Sequence, residues 1–99
     1  MPQQFDVCRT ARGILVVVIQ SDLIDIILTR TVVPLLPAGA AGRPMRVLNP
    51  EITFGDERFV LMPQLVATLS VGELGPPIGS IAHMRDTLIR AVDMLLSGV

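Results

Sequence analysis

The sequence contains no lysine, no tryptophan and no tyrosine. All eight basic residues are arginines, scattered from Arg9 to Arg90 without a run or a stripe, and the net charge is −1. Phosphate-driven binding of DNA or RNA needs such a stripe. The chain alone is therefore not expected to bind nucleic acid. A single cysteine, Cys8, excludes an internal disulfide. A single histidine, His83, stands far from Cys8 in sequence, and a metal site needs clustered ligands. The glycine pair Gly39 and Gly42 lacks the lysine that follows a phosphate-cradling loop. No metal or cofactor is expected. The longest purely apolar run is six residues, Ile14 to Ile19, against roughly 20 for a membrane helix. The opening MPQQFDVCRT lacks the basic-then-apolar pattern of a signal peptide. The expectation is a soluble, cytoplasmic protein with no membrane partner.

Apolar residues are what the chain has in excess. They make up 51% of its 99 residues, against 17% charged. That length suits one domain, residues 1–99. A domain of this size buries only about 60–65% of its unfolded surface. Part of the apolar excess is therefore expected to lie under a second copy or a partner.

The first two-thirds reads as strands. FDVCR alternates Phe5 and Val7 with polar neighbours, as a half-buried strand does. ILVVVI is β-branched and continuous, the pattern of a central strand buried on both faces. A turn closed by Gly13 joins them. TRTVVPLL is also β-branched, but Pro34 cannot donate a ladder bond, which places it at an edge or a bulge. PAGAAGRP, fenced by Pro37 and Pro44, reads as a surface loop. In EITFGDERFVLM, Gly55 and Asp56 form a two-residue hairpin turn, with positive φ at Gly55. VATLSV is a further short strand, and GELGPPIGS a connecting loop.

From about Ile81 the period changes. Met84, Leu88, Ala91, Val92, Leu95 and Val99 recur at helical spacing. Asp86, Arg90, Asp93 and Ser97 line a different, polar face, with Ile89 and Leu96 on the flanks. Gly98 is placed to end the helix in a left-handed cap. The expected architecture is mostly β: about five antiparallel strands in a small barrel, then one C-terminal α-helix.

Little here speaks for catalysis. Asp22 and Asp25 are three apart, but Ser21 and Asp22 after a strand suit a turn or a cap. Arg58 in the hairpin is a nuclease-type candidate, with a solvated strand arginine as the plainer reading. The residues point to a binding module.

IQSDLIDIILTRTVVPLL (Ile19–Leu36) resembles a stretch typical of the CcdB toxin family. The resemblance continues in NPEITFGDERFVLM, with its FGDE turn, and in the helical spacing of His83, Ile89, Ala91, Val92 and Leu95. It covers nearly the whole chain. It implies an SH3-like barrel with a C-terminal helix, as in CcdB, MazF and Kid toxins. It implies a dimer; Leu95, as an apolar residue of the helix, is expected in its core. It further implies no enzymatic activity of its own. Bacterial toxins of this family wedge into the A subunit of DNA gyrase, are wrapped by a CcdA-like antitoxin, and repress their own operon together with it. The gyrase surface carried over by resemblance is Leu23, Ile24, Asp86, Arg90, Asp93, Ser97, Gly98 and Val99.

Two of these positions depart from the family pattern. The family ends in Trp-Gly-Ile or close to it, and here Ser97 stands in place of the tryptophan. Asp93 stands where asparagine is usual. Truncating a buried interface tryptophan costs about 2–4 kcal/mol, roughly 30- to 1,000-fold in affinity. Three readings stay open: a weakened toxin, a toxin re-tuned to another target, and a non-toxic member that keeps its dimer and its antitoxin. An RNA-cleaving toxin of the MazF/Kid type is the alternative from another class. The scattered arginines and net charge of −1 speak against its RNA groove.

Overall fold

The β-branched run ILVVVI sits at the middle of a curled antiparallel sheet. A computed structural model describes residues 1–98 of the chain. Its strands are β1 (Asp6–Arg9), β2 (Leu15–Val18), β3 (Thr29–Pro37), β4 (Glu51–Phe54), β5 (Glu57–Leu61), β6 (Ala67–Ser70) and β7 (Gly79–Ser80). One α-helix, α1 (Arg85–Ser97), follows. The strand order is β4-β5-β3-β2-β1-β7, with β6 also paired to β3. The two-residue β7 is not expected from the sequence. It lies inside the stretch that reads as a connecting loop and pairs with β1 at Val7 and Gly79.

β2 is buried on both faces, as its composition predicts. Leu15 and Val17 point into the main core with Val7, Val33, Leu35, Ile52, Leu61, Leu88 and Ala91. Val16 and Val18 point the other way, into a smaller cluster with Cys8, Val32 and Leu74. This is the period-2 alternation of a strand covered on both sides. Leu88 and Ala91 are the buried residues of α1, which therefore covers the inner face of the sheet. Each fully buried Leu or Val there contributes roughly 1.5–3 kcal/mol.

β1 departs from the half-buried pattern. Cys8 is as buried as Val7. Phe5 lies before the strand, with a left-handed backbone (φ 68) and its ring in the main core.

The placement of Pro34 at an edge or bulge is corrected. β3 is the most extensively paired strand, joined to β2, β5 and β6. Pro34 is tolerated in its interior for a geometric reason. The amide of Ile19 donates to Thr31 O, so Thr31, Val33 and Leu35 turn their backbone groups toward β2. Pro34 turns the other way, where its carbonyl accepts from the Met62 amide. On that side β6 pairing ends at Val32 and β5 pairing begins at Leu35. The missing N–H thus falls at a seam where no strand asks for it.

The β4–β5 hairpin matches the sequence. Phe54 pairs with Glu57, Gly55 has φ 63, and Gly55 and Asp56 make the turn. Positive φ at the first turn position alone is the type II′ pattern. The two ends of the sheet, β4 and β7, meet through side-chain packing, with the Phe54 ring against Gly79. The result is a half-barrel with a C-terminal helix, the class expected.

Candidate functional site

Leu23 and Ile24 lie in a single 3-10 turn, Asp22–Ile24, after β2. The Ser21 hydroxyl accepts from the Leu23 amide and starts that turn. Asp22 Oδ1 accepts from the Gln4 amide at 2.8 Å. Ser21 and Asp22 therefore serve the turn, as their place after a strand suggests. The next residues are unusually apolar for a surface loop. Leu23 is 93% exposed, and Ile24, Ile26, Ile27 and Leu28 are exposed with it.

The backbone explains the exposure. Arg30 Nη1 donates to Ile27 O and Thr29 O, and Nη2 to Asp25 O. Its Nε donates to Pro2 O. Gln20 Nε2 donates to Ile24 O and Thr29 O. These carbonyls of the loop are turned inward and satisfied. Its apolar side chains are turned out.

On α1, Asp86, Arg90, Asp93 and Ser97 are exposed and share one stripe, spaced four, three and four. The Ser97 hydroxyl donates back to Asp93 O at 2.9 Å. The side chain therefore lies along the helix. Gly98 caps the helix in the left-handed region (φ 74), its amide donating to Met94 O at 3.0 Å. Val99 lies outside the described residues. Leu95 stands on the opposite side of the helix from the polar stripe and is 37% exposed.

Gln4, which the sequence does not single out, joins the two parts. Its amide holds Asp22, its Nε2 donates to Ile19 O, and its Oε1 accepts from Arg85 on α1. It lines a shallow groove with Phe5, Ile19, Ile89, Val92 and Asp93. The Leu23–Ile24 turn and the Asp93 side of α1 thus flank one residue. Arg85 also stacks over the Phe5 ring at 5.5 Å.

Catalytic candidates are dispersed. Arg58 is exposed and pairs with Glu51 across the hairpin at 3.7 Å. His83 is exposed, whereas Cys8 is buried. Burial, and then the charge of Asp6, push the Cys8 thiol above its ordinary pKa. Among the described residues no group of three or more His, Cys, Asp or Glu could hold a metal ion. No helix among them is long and apolar enough to cross a membrane.

The fold has a solved counterpart. A chain titled "Endoribonuclease from Mycobacterial species" superposes with a TM-score of 0.77, covering 96% of this chain and 90% of that one, at 15% identity. At that identity the likeness speaks for the fold. The sequence comparison reaches further: a family model described as CcdB protein matches residues 4–98. Such a match supports a toxin of a toxin–antitoxin system. Over nearly its whole length, from the Gln4 bridge to the Gly98 cap, the chain belongs to the CcdB family.

Proposed function

We propose that this protein inhibits DNA gyrase by binding its A subunit, without catalysis of its own, and that a CcdA-like antitoxin neutralises it in the cytoplasm. The observation that carries the reading is the loop Leu23–Leu28. Five large apolar side chains stand in solvent there while the backbone beneath is tied down. Exposed apolar surface of this kind marks a partner site. Asp86, Arg90, Asp93, Ser97, Gly98 and Val99 extend the proposed contact along α1 and its tail.

The protein acts as a homodimer in this reading. Among the described residues β6 pairs on one side only, leaving a strand edge that soluble proteins cover. Leu65 and Val66 are exposed just before it, and α1 packs against the Pro63–Leu65 turn. Leu95, half-covered on that helix, completes an apolar surface suited to a second copy.

Ser97 sets the strength. Its hydroxyl folds back on Asp93 O, so no side chain projects where the family places tryptophan. Growth after induction in the native host, with Ser97→Trp alongside, tests the proposal. Killing by the wild type, or by Ser97→Trp alone, with gyrase-dependent DNA breaks supports it. Growth in both cases sinks gyrase poisoning and leaves antitoxin binding and operon control by a non-toxic dimer. The likeness in fold to an endoribonuclease makes RNA cleavage the reading to test against. Cleavage of RNA that Arg58→Ala abolishes would replace the gyrase reading with it.

A further inference from the structure

The apolar loop Ser21–Leu28 does not hold itself. Its internal backbone bonds, Ile24 N to Ser21 O and Ile27 N to Ile24 O, are long, at 3.2 and 3.4 Å. The short bond comes from outside. Arg30 Nη1 donates to Ile27 O at 2.6 Å. Its Nη2 reaches Asp25 O at 3.2 Å, and its Nε fixes Pro2 O at 3.1 Å. Gln20 caps Ile24 O from the other flank at 3.3 Å and takes the Thr31 amide on its Oε1 at 3.0 Å.

Arg30 is 2% exposed, and all of its hydrogen-bond partners are carbonyls. Among the described residues no carboxylate bonds to it. A buried cation held this way is costly, and the carbonyls it serves depend on its donors. What the guanidinium supplies that a leucine does not is a rigid fork of donors. That fork gathers three alternate inward carbonyls, of Asp25, Ile27 and Thr29, around one point. The side chains between them are forced outward.

We infer that Arg30 and Gln20 are positioning residues, which fix the exposed loop in the shape its partner reads. The inference rests on the reading of Leu23 and Ile24 as gyrase contacts. A loop fixed before binding avoids the ordering cost that a mobile one incurs on association. Apparent affinity falls in proportion to the fraction of molecules in the competent shape.

The test uses the full chain and a gyrase A subunit. Arg30→Leu, Arg30→Lys and Gln20→Leu are each made with and without Leu23→Ala. Dissociation constants and amide exchange are read for all. Arg30→Leu is expected to weaken binding about tenfold or more, as a loop competent a tenth of the time would. Arg30→Lys keeps the charge without the fork and should weaken it as well. In either background Leu23→Ala should cost the same factor as it does alone, because the competent fraction and the contact multiply. Exchange should rise across Ser21–Leu28 and stay low in β2. A merely structural role would raise exchange there and leave the dissociation constant unchanged. An unchanged dissociation constant in the Arg30 and Gln20 variants overturns the positioning role alone. If the wild type does not bind the A subunit, the gyrase reading falls; if Leu23→Ala by itself leaves binding intact, only the loop is removed from that contact.

Discussion

The ring of Phe54 fills the space where a side chain on Gly79 would begin: a Cβ there would stand 2.6 Å from Phe54 Cε1. Phe54 ends β4 and Gly79 starts β7, the two outermost strands of the sheet path. The half-barrel is drawn together at this contact. Gly79→Ala should therefore destabilise the fold by about 1–3 kcal/mol, the range for overpacking. Phe54→Leu in the same chain should relieve part of that loss, because the two sites are in contact. Urea denaturation of both single variants and the double variant checks it. Strict additivity would show that the ring moves aside freely.

Leu88 and Leu96 sit on the same helix in opposite circumstances. Leu88 is fully buried in the main core, whereas Leu96 is 77% exposed. Leu88→Ala should cost about 2–5 kcal/mol through the cavity it leaves. Leu96→Ala should change stability by no more than about 0.5 kcal/mol. Thermal unfolding of the two variants distinguishes them.

Self-association should depend on Leu65 and Leu95. Light scattering of the wild type is expected to give twice the monomer mass at micromolar concentration. Leu95→Arg, or Leu65→Arg beside the open edge of β6, should give the monomer mass with the fold retained. A wild type that is monomeric throughout would remove the dimer from the proposal.

The Cys8 thiol should make stability fall in alkaline solution. Burial raises its pKa in the folded state, with the charge of Asp6 adding to the effect. An unfolded thiol ionises near about pH 8.5. Below that value both states hold the proton, and the stabilisation is fully present. Above it the unfolded state binds fewer protons, so stability drops as pH rises toward the raised folded value. Unfolding measured from about pH 7 to 10 should show this slope, and Cys8→Ala should flatten it. Native Cys8 should also react slowly with alkylating reagents and rapidly in urea.

The hairpin and the helix are legible in the sequence because their signals are local. Gly55 needs only its own φ and its neighbours to make a turn. Leu88 and Ala91 declare their face through spacing alone. Pro34 is misplaced by the same reasoning, because its tolerance depends on where two other strands, β5 and β6, begin and end. β7 is two residues long, too short for any period to register.

The candidate site is readable in part. The helix stripe from Asp86 to Ser97 emerges from the period and is exposed. Leu23 and Ile24 come only through resemblance, since apolar residues after a strand look like core. The structure exposes them on a turn that Gln20 ties at Ile24 O, beside the stretch whose backbone Arg30 holds. That role is illegible in the sequence: Arg30 reaches Pro2 across 28 positions, and Gln4 reaches Arg85 across 81. No local pattern encodes such distances.

The seam at Pro34 bears on the fidelity of folding. Runs such as LVVV and TVV are nearly self-similar and invite slippage by one residue. A slip of β3 against β2 would turn Pro34 toward β2, where the ladder demands a donor it lacks. The same slip would carry Val33 and Leu35 out of the main core and onto the opposite face. Proline, harmless in the native pairing, penalises the neighbouring one. It adds a backbone penalty for the wrong alignment to the one that the displaced Val33 and Leu35 already impose.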